Sequence, residues 1–244
     1  MTTTTSSPIT ILIAGHWLGA WAWDEVLEHL EAGDSLAAAM TLPGLDGDDS
    51  ERATKTLDDQ VAAIVGFIDQ LGGSTDQPVV LVAHSGANAP VSIVLDRHAE
   101  LVRRVVWVDS GPQATGSIFA PGFLGEELPL PAFEALSQQA SLEGLSAAVF
   151  ERFRARAVPE PGPVLRQPVE LANPARREVP TTLVCCSISS SQVMQLAHAG
   201  NAMFAEVAKL ERLDLVDLPT GHWPMWSRPS ELAEVIRAAA SRTN

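Results

Sequence analysis

Apolar positions along the chain follow two rhythms. Six short, mainly apolar runs read as strands: Ile9–Ala14, Leu36–Leu42, Val79–His84, Arg104–Asp109, Thr181–Ser187 and Leu213–Leu218. Between most of them the apolar positions recur at helical spacing. Trp23–Leu30, Asn88–Leu95, Gln192–Leu210 and Glu231–Ala240 read this way, and Leu57–Leu71 puts Val61, Ile64, Val65, Ile68 and Leu71 on one face. Asp58 and Asp59 suit the first turn of that last helix, where the backbone dipole favours negative charge. Alternating strand and helix predicts an α/β domain, a mostly parallel six-stranded sheet with helices on both faces.

One stretch breaks the alternation. Ten of the seventeen prolines lie from Pro112 to Pro180. Leu128-Pro129-Leu130-Pro131 and Pro159-Glu160-Pro161-Gly162-Pro163 punctuate short helical pieces there, the best of which is Leu142–Arg156 with Leu145, Val149, Phe150 and Phe153. A structureless loop of this length does not fit a compact domain. Residues 112–180 therefore read as a helical lid inserted into a core made of residues 1–111 and 181–244.

The third run ends in His84-Ser85-Gly86-Ala87. A serine with small residues two before and two after it can occupy a tight strand-to-helix turn, which lifts its hydroxyl from the sheet to a helix N-terminus. Alanine stands at both flanks, Ala83 and Ala87, where glycine is usual. Two other loops follow strand ends, the edge where a parallel sheet binds ligands. Ala14-Gly15-His16-Trp17 can expose the His16 amide to a developing oxyanion, with the Gly86 amide as second donor. Thr220-Gly221-His222-Trp223 follows the last strand, which makes His222 the natural general base for Ser85. His84 points to the opposite face of its strand and reads as a packing residue.

Composition narrows the partners. The chain has 244 residues, a formal charge of −14 and two lysines, Lys55 and Lys209. Nucleic acid and anionic membrane surfaces both call for a basic patch, so the expected partner is a small-molecule substrate, with no nucleic acid and no membrane; a homodimer stays open. Cys185 and Cys186 are adjacent, which closes no loop and gives no metal-ligand spacing. They read as buried small residues. No histidine and carboxylate cluster has metal spacing, so no metal is expected. Met1–Pro8 lacks the basic and apolar regions of a signal peptide, and a cytoplasmic location is the expectation.

These motifs, over essentially the whole chain, resemble the α/β-hydrolase superfamily, and within it the small plant-type esterase and hydroxynitrile-lyase branch with related bacterial hydrolases. Ala14-Gly15-His16-Trp17-Leu18-Gly19-Ala20-Trp21 stands where that branch has a His-Gly-Ala-Trp-His-Gly-Ala-Trp-like run. Leu42-Pro43-Gly44-Leu45 and Gly221-His222-Trp223-Pro224 resemble two further loops. The resemblance implies the α/β-hydrolase fold, Ser85 as nucleophile, His222 as base, the His16 and Gly86 amides as oxyanion hole, and no cofactor.

One departure matters. The family usually carries its acid in a Gly-x-x-Asp stretch after the fifth of these strands, but no carboxylate occurs from Thr181 to Ala205. Either Asp109, at the end of the fourth strand, replaces it, or the site has no acid and a serine or water holds His222. The expected function is therefore a serine hydrolase of a small, mainly apolar ester, with Trp17, Phe119, Phe123, Phe150, Phe153 and Trp223 as pocket walls. A lyase or cyclase on the same scaffold and a non-catalytic small-ligand binder remain as rivals.

Overall fold

A computed structural model describes residues 8–32 and 36–242. The strands are β1 (Thr10–Ile13), β2 (Ala37–Met40), β3 (Val79–His84), β4 (Val102–Val108), β5 (Thr181–Cys185) and β6 (Leu213–Asp217). They form one sheet in the order β2-β1-β3-β4-β5-β6, with every neighbouring pair parallel. All six residues of β3 are buried, as a central strand covered on both faces requires.

The period of two sorts the side chains into two cores. Ile11, Ile13, Leu81, Ala83, Val105, Trp107 and Leu183 face one layer, with α2 (Leu57–Gln70), α3 (Asn88–Arg97) and α4 (Ser190–His198). Leu12, Val80, Val82, Val106, Val108 and Val184 face the other, with α1 (Asp24–Glu31) and α5 (Pro229–Ser241). Thr56 and Asp59 form a capping box that starts α2, and Ser189 with Gln192 does the same for α4.

Two helices are shorter than their sequence patterns. The one expected over Gln192–Leu210 stops at His198, because Gly200 turns to φ +76° and Asn201 caps a separate short turn, Ala202–Phe204. The one expected over Leu142–Arg156 begins at Ala147, since Gly144 sits at φ +82° and the Ser146 side chain caps the first turn. Apolar periodicity runs through both breaks, so periodicity alone extends each helix too far.

Between β4 and β5 the chain forms helical insertions that make a lid. They are the turns Phe133–Leu136 and Gly162–Arg166, the helix Ala147–Arg156, and an antiparallel ribbon of Glu127–Leu128 with Glu160–Pro161. The ribbon is tied to the loop after β1. Trp17 Nε1–H donates to the Leu128 carbonyl at 3.0 Å, and the Val158 N–H donates to the Trp17 carbonyl at 3.0 Å.

The strand order also locates the site. The chain leaves β1 for β2 on one side and returns to β3 on the other, so the order reverses between β1 and β3, and a crevice opens at their carboxyl ends. Register does the rest. Ile13 pairs with Ala83, His84 with Val108, and Val108 with Val184. Gly15, Ser85, Asp109 and the Cys186-Ser187 turn therefore lie side by side along one rim.

Candidate active site

Ser85 follows β3 directly, at φ +49°, a backbone region that non-glycine residues rarely adopt. Trp17 at φ +66° and Asp109 at φ +43° share that property, and all three sit on the same rim. Strained backbone held in place by its surroundings is typical of functional sites. Gly15 makes the close approach possible. A Cβ there would lie 2.6 Å from Ser85 Cβ and 2.8 Å from the Gly86 nitrogen. The His16 and Gly86 amides thus belong to touching turns, and among the described residues neither has a hydrogen-bond acceptor.

His222 Nδ1–H donates to Asp109 Oδ2 at 2.6 Å. That bond fixes the tautomer and leaves Nε2 as an acceptor for the Ser85 hydroxyl, 2.8 Å away. The loop bearing His222 is clamped from two sides. His84 Nε2–H donates to the His222 carbonyl at 2.8 Å, and the His222 N–H donates to the carbonyl of lid residue Ser141 at 2.8 Å. Lid and loop touch so closely that a Cβ on Gly221 would lie 2.5 Å from the Glu143 carbonyl oxygen.

Asp109 accepts from the Cys186 and Ser187 amides at 3.0 and 2.8 Å and from the Ser187 hydroxyl at 2.5 Å. The turn where the family usually carries its acid here supplies donors to a carboxylate from the neighbouring strand. Burial alone would raise the Asp109 carboxyl. Hydrogen bonds from His222 and Ser187 and the charge of His222 outweigh it and draw the value down to about 2. His84 moves the other way for a base. Burial first, then the charge of His222, push it down to about 3, so it stays neutral. Burial lifts the Cys185 thiol to about 12 and Cys186 higher still, which leaves both as inert packing residues.

The expected pocket residues part company. Phe119 lies beside His16, 57% exposed, with its ring 4.2 Å from the His16 ring. Trp17 and Trp223 are buried beside His16 and His222, with ring separations of 5.7 and 4.9 Å. The other three are not brought to the rim. Phe153 is fully buried against Trp223 and Trp226, because the lid helix turns its apolar face into the core. Phe150 stacks on Phe133 within the lid, and Phe123 folds back over its own turn at Gly125.

Sequence reasoning missed Ser187, Glu160 and the second role of His84. Glu160 reaches the site from the proline-rich run Pro159-Glu160-Pro161-Gly162-Pro163 of the lid, and no local pattern marks it. The alternation rule did place His84 inside, without showing that its ring would hold the His222 loop.

Among the described residues no group of three or more histidine, cysteine, aspartate or glutamate side chains is arranged to hold a metal ion, and no helix is long and apolar enough to cross a membrane. A surface groove of about 810 Å³ runs along α2 near Arg97 and Leu101, but none of the site residues lines it.

A family model described as alpha/beta hydrolase family matches residues 10–235. The chain belongs to the α/β-hydrolase family. Among curated relatives, Methylesterase 7 of Arabidopsis thaliana is 31% identical over 105 residues, 40% of this chain and 38% of the relative. Methylesterase 4 of the same plant is 28% identical over 144 residues, 57% of this chain and 49% of the relative. The aligned segments thus span less than half of each relative's length. Among solved structures, an extracellular α/β-hydrolase from a Paenibacillus species superposes with a TM-score of 0.77 at 18% identity, covering 96% of this chain and 100% of that one. That likeness is one of fold. It also overturns the expectation of a cytoplasmic location, since a hydrolase of this fold works outside the cell. The fold closes with Cys185 and Cys186 both free, so cysteine usage leaves no mark of the redox compartment.

Proposed function

We propose that this α/β-hydrolase is a serine esterase that cleaves a small, mainly apolar carboxylic ester through an acyl-enzyme. Ser85 Oγ attacks the carbonyl carbon while His222 Nε2 takes its proton. Asp109 holds the imidazole in the reactive tautomer and stabilises its cationic form. The His16 and Gly86 amides receive the oxyanion, each worth about 3–4 kcal/mol in the transition state. His222 then returns the proton to the leaving alcohol. Water attacks the acyl-enzyme with His222 again as base, and the acid product leaves.

The observation that carries this reading is the unbroken relay from Ser85 to His222 at 2.8 Å and from His222 to Asp109 at 2.6 Å. With a carboxylate on His222, the vacant Thr181–Ala205 stretch gives no reason to prefer a lyase, a cyclase or a passive binder. The methylesterase relatives favour a small leaving alcohol. The division into a core of residues 1–111 and 181–244 under a lid of residues 112–180 belongs to the same proposal, with Trp17, Trp223 and Phe119 shaping the chamber.

The test is steady-state turnover of p-nitrophenyl acetate by the wild type, Ser85→Ala and His222→Ala. The expected result is clear turnover by the wild type and at least a 10³-fold loss in each variant. Ser85→Ala turning over at the wild-type rate, with an unchanged far-UV spectrum, would remove the proposal.

A further inference from the structure

Glu160 is a lid residue with 1% exposure, and a carboxylate so placed needs a partner. Among the described residues no lysine or arginine forms an ion pair with it. Its Oε2 accepts from the Trp17 N–H at 3.3 Å and lies 3.1 Å from His16 Nδ1. The His16 ring in turn lies over Gly86, next to the nucleophile. A Cβ on Gly86 would come within 2.5 Å of His16 Nε2, and Phe119 covers another side of the ring. Among the described residues Nε2 has no hydrogen-bond partner, and it is not one of the polar atoms sealed from solvent.

The mechanism above uses only the backbone of His16. Its side chain stands beside the oxyanion donors, held from behind by a buried acid. With Nδ1 held by Glu160, Nε2 is the ring atom left to meet a ligand, and it lies beside Gly86. A substrate whose carbonyl oxygen occupies the oxyanion hole presents its neighbouring atoms to Nε2.

Resting on the esterase reading, we propose that His16, oriented by the buried lid carboxylate of Glu160, is a specificity-determining residue that hydrogen-bonds a second oxygen of the substrate, one or two atoms from the scissile carbonyl. Glu160 is its positioning residue. The preferred substrate class is then a short ester with an ether, hydroxyl or carbonyl oxygen close to the ester group, rather than a plain alkanoate.

Two esters that differ by one oxygen test this: p-nitrophenyl methoxyacetate and p-nitrophenyl butyrate. The readout is the ratio of their kcat/KM values after division by each ester's rate with hydroxide, so a general loss of activity cancels. The wild type is expected to favour the methoxyacetate at least tenfold. Glu160→Gln and His16→Leu should bring the ratio within about twofold of one, while His16→Gln, which keeps a hydrogen-bonding group, retains part of the preference. A wild-type ratio near one, or an unchanged ratio in both Glu160→Gln and His16→Leu, overturns the proposal.

A second measurement is independent of turnover. In Ser85→Ala protein with ¹⁵N-labelled histidine, ethyl methoxyacetate should move the His16 side-chain signal and ethyl butyrate should not. If the wild type cleaves neither ester and the signal still moves, the esterase reading falls and His16 recognition stands. Equal responses to the two esters, or none, overturn the recognition itself.

Discussion

At Asp109 and His84 burial acts on neighbouring groups with opposite outcomes. Asp109 is rescued by donors from His222 and Ser187, so its carboxyl falls to about 2, below the ~3.9 of an unfolded chain. Its contribution of about 2 kcal/mol is therefore complete above pH 4 and is lost as pH falls through 2. His84 has a single partner, the His222 carbonyl, and one ring nitrogen sealed without any. Its folded value of about 3 lies below the ~6.5 of an unfolded histidine, so the unfolded chain binds more protons below pH 6.5. The stability linked to His84 is complete above 6.5 and drains away toward 3, at up to about 1.4 kcal/mol per pH unit. Urea unfolding at pH 7.5 and 5.5 should show a larger acid loss in the wild type than in His84→Gln; equal losses would remove His84 as the source. Asp109→Asn keeps the shape of the acid but removes its claim on the Nδ1 proton. Ester turnover should drop by about 10³–10⁴-fold with little change in KM, as measured by steady-state kinetics. The parts of the candidate site that were legible at this scale are Ser85, from its small neighbours at a strand end, and His222, from its place in the loop after the last strand. Glu160 and Ser187 gain their roles only from partners 144 and 78 positions away in the chain, and no local pattern records that.

The elements explain why those distant residues meet. Parallel pairing in register puts the ends of β1, β3, β4 and β5 on one rim, and the lid closes over it through Ser141, Glu160 and Phe153. Phe153 is the pin. Its ring fills the space between Trp223 and Trp226, at 5.5 and 5.1 Å, directly behind the His222 loop. Phe153→Ala should destabilise the protein by about 3–5 kcal/mol in chemical denaturation and lower esterase kcat through a loosened His222 loop. A loss below 1 kcal/mol would mean that the lid is not anchored there. All six strands and the order of helices between them were readable from periodicity, because buried parallel strands and amphipathic helices leave repeating patterns. The lid was readable only as an interruption. Its helix bounds and the inward turn of Phe153 depend on Gly144, on Ser146 capping and on packing against residues from the other end of the chain. For the same reason Phe153, apolar and in the lid, looked like a pocket wall when it is a core residue.

Across the whole molecule the site draws on loops after five strands and on the lid, so no short segment carries it alone. The formal charge of −14 disfavours polyanions as ligands of the proposed site. The account rests on Ser85 being a nucleophile made reactive by His222. Intact-protein mass spectrometry after reaction with a fluorophosphonate, followed by peptide mapping, asks that question without assuming a substrate. The account predicts one adduct per chain, located on Ser85, absent from Ser85→Ala and formed far more slowly in His222→Ala. A folded wild-type protein that stays unlabelled, or one labelled equally well without His222, would contradict it.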